Sequence, residues 1–279
     1  LTRIREKYGN SALYVPYGTG SYNQTNGRWP AERLMNLFGG SLGYYNSYSW
    51  ACISKATPYV YGTNVTGNQR QDWVNCKYIL MWGWNPSEMR DGTNSEYFIK
   101  KAREKGARVV CIDPRMTLSA VSLADEWIPI RPGTDVALMS AMAWVMIDEG
   151  IFDRDFVKKY CLGFDSSQMP EGLEQEESYK DYILGTRDGQ AKTPEWAETV
   201  CGVPARQIKA LARSWAKQNT SIAHCNGGSF IRSTYSHEPA RLEVALLGMQ
   251  ALGKPGRNQL KMMEYQLFSL DSQMPAPRA

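Results

Sequence analysis

Metal clips are the first thing this 279-residue sequence lacks. Its six cysteines are Cys52, Cys76, Cys111, Cys161, Cys201 and Cys225, and even the closest pairs, Cys52–Cys76 and Cys201–Cys225, are 24 residues apart. No CxxC or CxxxC pattern is therefore present to hold zinc or an iron–sulfur cluster, and the cysteines read as small buried hydrophobes. Histidine is scarce too: His224 and His237 are the only two, and neither has a partner at metal-ligand spacing. HExxH, GxSxG and the Walker loop are missing, which removes the common metalloprotease, hydrolase and nucleotide-hydrolase readings. No strand is followed by GxGxxG; the nearest approach, "GTGSY" at Gly18 to Tyr22, lacks the third glycine and argues weakly for a nicotinamide cofactor. Apolar runs of about 18 residues are absent, and "LTRIREKYGN" does not have the layout of a signal peptide. Charge of one sign is not in excess, with 32 Lys and Arg against 28 Asp and Glu and a net charge of +4. The basic residues are scattered rather than interleaved with aromatics, so nucleic acid is not the expected partner.

What the chain has is enough apolar content for a core. At 43% hydrophobic and 22% charged residues it has the make-up of a globular protein of one large or two smaller domains. Nine tryptophans and sixteen tyrosines are many for this length. Several lie in Gly- and Asn-rich contexts such as "GSYNQ" and "YYNSYSW", where aromatics suit a lined pocket as well as a core.

The order of patterns predicts an α/β fold with a mainly parallel, Rossmann-like sheet flanked by helices. Leu1 to Tyr8 reads as the end of a helix, Ala12 to Tyr22 as a strand entering a Gly-rich loop, and Ala31 to Phe38 as a helix. A further helix is expected from about Trp50. Tyr78 to Trp82 is a continuous apolar run, expected as a buried strand, and Arg108 to Ile112 is expected as a second buried strand after a helix over Asn94 to Lys105. Strand, helix and strand joined by short turns form the unit of a parallel sheet. A third strand at Glu126 to Ile130 leads into an amphipathic helix over Asp135 to Glu149. Residues 163–195 are polar and read as a surface excursion. Helix Pro204 to Lys217, strand Thr220 to Cys225 and helix Glu238 to Leu252 follow. The expected organisation is one α/β domain over 44–257, with 1–43 and 258–279 as parts of a discontinuous neighbouring α/β domain.

Open parallel sheets bind ligands beyond the carboxyl ends of their strands, where helix N-termini present unpaired N–H groups. Three such ends carry unusual residues here. Gly83, Asn85, Pro86 and Glu88 follow the first buried strand, Asp113, Pro114 and Arg115 the second, and Arg131, Pro132, Gly133, Thr134 and Asp135 the third. An acid at such a position suits ribose hydroxyls or the edge of guanine. Asp-Pro also starts ordinary turns, and an acid in a first helical turn such as Asp135 is favoured by the helix dipole alone. The residues by themselves thus lead to a nucleotide-like ligand on an α/β sheet.

Three stretches, "YILMWGWNPSE", "VVCIDPRMTLSAVSLADEWIPIRPGTDVALMSAMAWVMIDEG" and "GMQALGKPG", resemble the catalytic subunits of the molybdopterin oxidoreductases of the dimethyl sulfoxide reductase type. The resemblance covers essentially the whole chain. It implies a molybdenum ion held by two molybdopterin guanine dinucleotides and one side chain, and transfer of an oxygen atom from an S-oxide or N-oxide. In sulfoxide and amine-oxide reductases the ligand lies in a Tyr-Ser pair with a proline nine residues after the serine, which is matched by Tyr48, Ser49 and Pro58. Ser49 is therefore the candidate metal ligand, with Cys52 as its rival. A serine alkoxide is a hard donor suited to a high-valent metal. By the same resemblance Tyr22 is the aromatic that points toward the oxo group, and Arg232 lies near the pterin. Gly83, Asn85, Pro86, Glu88, Asp113, Arg115, Gly133 and Asp135 would bind the dinucleotide, with Glu88 or Asp113 on ribose, Asp135 on guanine and Arg115 on pyrophosphate. Which acid takes which group stays open.

The resemblance further implies a longer parent with a Cys-rich 4Fe-4S segment, a twin-arginine leader, a site facing the periplasm at the membrane, and iron–sulfur and membrane-anchor partner subunits. On that basis this chain is expected to be an internal fragment, inactive alone and without bound cofactor, exposing apolar faces that include Trp82 or Trp84. One rival reading is a cofactor-free structural subunit of a respiratory complex, in which the Tyr-Ser loop and the Asp113 and Asp135 positions would be degraded; all are present. The other is a nicotinamide enzyme, against which the missing glycine fingerprint counts.

Overall fold

A computed structural model describes residues 1–16, 28–43, 51–63, 67–88, 94–225 and 234–262. The chain divides into two compact units, one made of Leu1–Ser47 with Glu264–Ala279 and the other of Tyr48–Met263.

In the first unit α1 (Thr2–Tyr8) and α2 (Arg28–Leu37) are the helices among the described residues. Arg5 ties the two ends of this segment together: its guanidinium donates to the Phe38 carbonyl at 3.1 Å and lies 4.1 Å over the Phe38 ring. Asn10 adds a bond of 2.7 Å to the Gly40 carbonyl. The strand expected over Ala12 to Tyr22 is reduced, in its described part, to a single parallel bridge between Tyr14 and Leu42. The remainder of that stretch lies outside the described residues.

The second unit begins with α3 (Ala51–Tyr61) and then alternates strand and helix: β1 (Tyr78–Trp82), α4 (Ser95–Glu104), β2 (Arg108–Ile112), α5 (Leu118–Leu123), β3 (Glu126–Ile128) and α6 (Asp135–Asp148). Four helices follow, α7 (Arg154–Tyr160), α8 (Tyr179–Leu184), α9 (Pro194–Cys201) and α10 (Ala205–Lys217), before β4 (Thr220–Cys225), α11 (His237–Met249) and β5 (Asn258–Met262). The five strands are all parallel, in the order β3-β2-β1-β4-β5. Residues 258–262, assigned from sequence to the neighbouring segment, pair with β4 as the outer strand of this sheet.

The apolar runs of β1 and β2 are explained by cover on both faces, as parallel sheets require. Tyr78, Leu80 and Trp82 point into a core shared with α6, α10 and α11, while Ile79 and Met81 point to the other side against Trp73, Ile99 and Leu123. α6 departs from its expected amphipathic character. Ten of its fourteen residues are buried, because it is packed against α8, α9, α10 and α11 at the centre of the helical layer. Residues 163–195 are likewise more than an excursion: they contain α8, whose Ile183 is fully buried.

Polar clamps hold the edge of the sheet to what precedes it. Asp72 accepts from Asn75 at 2.8 Å, from the Gly256 amide at 3.0 Å, from Asn68 at 3.2 Å and from Asn258. Burial by itself raises the Asp72 carboxyl, but these four bonds outweigh it and hold the group below its ordinary value. A depressed carboxylate stabilises the fold above the unfolded-state value, about 3.9, and that contribution disappears as pH falls through the lower folded value. Urea midpoints measured between pH 6 and pH 2.5 should therefore drop steeply at the acid end, and Asp72→Asn should flatten the drop. An unchanged profile in the variant would assign the acid sensitivity to other carboxylates.

Candidate functional site

The register places the three candidate loops side by side. Trp82 pairs with Ile112 and Ile112 with Ile128, so Gly83, Asp113 and the residues leading to Arg131 leave the sheet at one level on its carboxyl edge. The strand order reverses direction between β1 and β4, the position at which doubly wound sheets open a crevice. Trp84 stands at that end of β1, and His224 and Cys225 end the neighbouring β4.

Gly83 turns the chain out of β1 with φ 58°, a left-handed conformation that a side chain would oppose, and its amide donates to the Ile112 carbonyl at 2.8 Å. Asn85 then acts as a pin. Its Oδ1 accepts from the Ser119 hydroxyl at 2.7 Å and from the Ser119 amide at 3.2 Å, while its Nδ2 donates to Glu88 at 2.6 Å. Ser119 Oγ also accepts from the Ser87 amide at 2.9 Å. The loop after β1 is thereby fastened to the first turn of α5, which is itself capped by the Thr117 hydroxyl accepting from the Ala120 amide. Asn85, expected as a cofactor contact, has its amide committed within the protein and orients Glu88, which is exposed.

On the next strand Asp113 folds over its own turn, its Oδ1 accepting from the Arg115 amide at 2.9 Å. Its carbonyl takes the Trp127 indole N–H at 2.9 Å, which fixes the loop against β3. Pro114 and Arg115 are exposed, so the guanidinium is presented to solvent at the edge. Beyond β3, Arg131 donates to the carbonyls of Thr199 and Val200 at 2.7 and 3.1 Å, and Gly133 turns with φ 75°. A side-chain carbon at Gly133 would meet nothing within 4 Å, leaving that loop open on its outer side.

Asp135 differs from the other acids in being only 2% exposed. Its Oδ1 accepts the Trp82 indole N–H at 2.7 Å, joining the end of β1 to the start of α6. Trp82 and Trp84, expected on exposed faces, are 0% and 1% exposed. Trp82 lies beneath α6, and Trp84 packs against Trp73 with ring centroids 5.9 Å apart. Among the described residues the Trp84 Nε1 atom is a buried donor with no acceptor. Ser49, Tyr22 and Arg232 lie outside the described residues. Cys52, the rival ligand, stands in the first turn of α3, where its sulfur accepts from the Ser236 hydroxyl at 3.1 Å.

Sequence reasoning missed Ser119, Ser87 and Thr117. The signal available was Thr117 three residues before Ala120, a capping position at the start of a short apolar stretch. Asn85→Ala should cost about 1–3 kcal/mol by leaving the Ser119 donors and Glu88 without their partner. Chemical denaturation of the variant checks this; a change below about 0.5 kcal/mol, the range of ordinary surface substitutions, would show that Asn85 is not a pin.

An exposed cation, acids fixed by their own turns, and two loops led by left-handed glycines make a donor set for a phosphate- and ribose-bearing group. The family model for molybdopterin oxidoreductases matches residues 1–261. The chain belongs to the molybdopterin oxidoreductase family. It is 45% identical over 222 residues to dimethyl sulfoxide reductase DmsA of Escherichia coli, covering 76% of this chain and 27% of that protein. With trimethylamine-N-oxide reductase of Haemophilus influenzae it shares 33% identity over 270 residues, 92% of this chain and 31% of the relative. Acetylene hydratase from Pelobacter acetylenicus has the same fold, with a TM-score of 0.62 and 22% identity over 93% of this chain and 32% of that one. The chain thus spans about three-tenths of the length of these relatives. Membership implies a molybdenum–pterin cofactor, and the donor set at the carboxyl edge fits the phosphate-bearing part of such a group.

Proposed function

We propose that this chain is the dinucleotide-binding segment of a molybdenum-dependent reductase acting on S-oxides or N-oxides in anaerobic respiration. The observation that carries the reading is the convergence of Gly83, Glu88, Asp113, Arg115 and Gly133 on one edge of a parallel sheet in a chain of this family. Kinship to sulfoxide and amine-oxide reductases supports the substrate class.

In this proposal Arg115 and the loop amides neutralise pyrophosphate, and Glu88 and Asp113 accept from ribose hydroxyls. Asp135, aligned by the Trp82 indole, accepts from the N–H edge of guanine. By the family resemblance Ser49 would supply the metal's protein ligand, Arg232 would contact the pterin and Tyr22 would be the aromatic toward the substrate oxygen. When bound, the molybdenum–pterin centre supplies the two-electron chemistry that removes oxygen from the substrate. The protein's share is to orient the cofactor and hold one position on the metal accessible.

The proposal extends to the whole parent: a guanine dinucleotide form of the pterin, a 4Fe-4S cluster for electron entry, iron–sulfur and membrane-anchor partner subunits, and a periplasm-facing location reached by twin-arginine export. The 279-residue chain alone is proposed to be inactive. Metal and pterin analysis of the parent tests the reading directly, since activity toward dimethyl sulfoxide without molybdenum would end it. Within the loaded parent, Ser49→Ala should abolish turnover and change the metal's spectrum while pterin content stays largely intact. Undiminished turnover would move the ligand to Cys52 or elsewhere.

A further inference from the structure

The N-terminal ends of α3 and α11 are tied together by one side-chain pair that neither helix requires for itself. Ser236 holds the N-cap position of α11, where a serine oxygen ordinarily accepts from the backbone amides of its own helix. It makes no such bond. Its hydroxyl donates instead to the Cys52 sulfur at 3.1 Å, 184 residues away in sequence, and Ser236 is only 2% exposed. A local stabilisation of α11 is thus given up for a contact between two elements.

The surroundings of this bond are built to one arrangement. Tyr235, immediately before Ser236, has φ 59°, a left-handed conformation that is rare for a large side chain and persists where neighbouring structure fixes it. Further along, α3 and α11 pack together, and Ile53 and Ala56 of α3 belong to the same buried core as Ala240 and Leu246 of α11. Cys52 and Ser236 therefore close the end of a helix pair that is already packed behind them. That end matters because of what precedes it in sequence. Ser49 comes three residues before Cys52, and Arg232 four residues before Ser236. The first turn of a helix is its loosest part, since its amides lack intrahelical acceptors, and here a side-chain bond secures it. The Cys52 sulfur is turned to α11 and engaged there, as suits a holder rather than a metal ligand.

We propose that Cys52 and Ser236 are positioning residues for the molybdenum centre: their bond locks the ends of α3 and α11 together and fixes the points from which the segments bearing Ser49 and Arg232 depart. The inference rests on the reading of Ser49 as the metal's ligand, and it removes Cys52 as the rival for that role. Its effect follows from scale, because a misplacement of about 1 Å at a reacting centre costs roughly a hundredfold in rate.

Two measurements test it. In the 279-residue chain without cofactor, alkylation of Cys52 by iodoacetamide, followed by peptide mass spectrometry, should be roughly threefold or more faster in Ser236→Ala, as expected for loss of one hydrogen bond, with far-UV circular dichroism unchanged. In the loaded parent, Ser236→Ala and Cys52→Ala should each lower kcat about tenfold with KM little changed, and should shift and broaden the Mo(V) electron paramagnetic resonance signal while molybdenum and pterin content stay the same. The double variant should be no worse than either single one, because both delete the same bond. Cys52→Ser keeps an acceptor and should restore the native signal and rate, whereas exchanging a metal-bound sulfur for oxygen would change the signal more than any other variant. Should Ser236→Ala not fold, Cys52→Ala and Cys52→Ser carry the same contrast. A native signal or an unchanged alkylation rate in Ser236→Ala overturns the proposal, and the ligand reading stands if Ser49→Ala still abolishes turnover. Turnover lost in Cys52→Ala but kept in Ser49→Ala overturns both.

Discussion

Trp82→Ala is expected to cost the fold about 3–5 kcal/mol, the range for truncating a large buried aromatic. The indole is fully buried at the end of β1, on the face of the sheet that packs against α6. Beyond its volume it carries the 2.7 Å bond to Asp135, so the substitution also strips a donor from a carboxylate that is 2% exposed. Two variants separate these contributions. Trp82→Phe keeps most of the packing and deletes the donor, and should cost about 1.5–3 kcal/mol, the range for a hydrogen bond to a charged group. A double-mutant cycle of Trp82→Phe with Asp135→Asn should give a coupling of at least about 0.5 kcal/mol, measured by urea denaturation. If the two single variants simply add, Asp135 is not held by Trp82, and the proposal that the indole aligns this acid for guanine loses its physical basis.

Gly256→Ala should be nearly as damaging, although it adds only one methyl group. Gly256 has φ 74°, which costs an L-residue roughly 1–2 kcal/mol. There is also no room: a side-chain carbon would lie 2.6 Å from the Asn75 carbonyl carbon and 3.0 Å from the Cys76 amide nitrogen, backbone atoms that have no rotamer to change. The same residue donates its amide to Asp72 and accepts from the Cys76 thiol at 3.3 Å, so displacing it loosens the turn that delivers β5 to the sheet. A loss of about 3 kcal/mol, read as a fall of roughly 6–12 °C in melting temperature for a unit of this size, is the expected result. Gly253→Ala serves as a control: its φ of 98° carries a similar conformational strain, but nothing lies within 4 Å of the added carbon. Equal losses at both positions would mean that conformation, not the close approach to Asn75, sets the effect.

The parts legible in the sequence were those governed by local pattern. A five-residue apolar run at Tyr78 to Trp82 and a four-residue one at Val109 to Ile112, on either side of a helical stretch, specify buried parallel strands, and β1 and β2 contain those residues. The loop residues at the strand ends were legible for a related reason. Gly83 after the first strand, Asp113-Pro114 after the second and Arg131-Pro132-Gly133 after the third each mark a turn, and the register brings these turns to one level. The helix at α6 shows where local pattern stops being informative. Its periodic apolar positions suggested one buried face, but surrounding helices cover it from several sides, and how many neighbours a helix has is not encoded within its own fourteen residues.

Composition and motif spacing alone thus determined the α/β class, the parallel sheet, the carboxyl-edge loops and, by resemblance, the family. Tertiary structure decided which of the polar residues there face inward. Asp113 and Asp135 look equivalent in sequence, each an acid following an apolar strand, yet one closes a turn with the Arg115 amide and the other is buried against an indole 53 residues away. Asn85 likewise became a pin because α5 brings Ser119 to it across 34 residues. Only the folded chain places such pairs within hydrogen-bonding distance, since partners so far apart in sequence are set by packing of whole elements rather than by the neighbours of either residue.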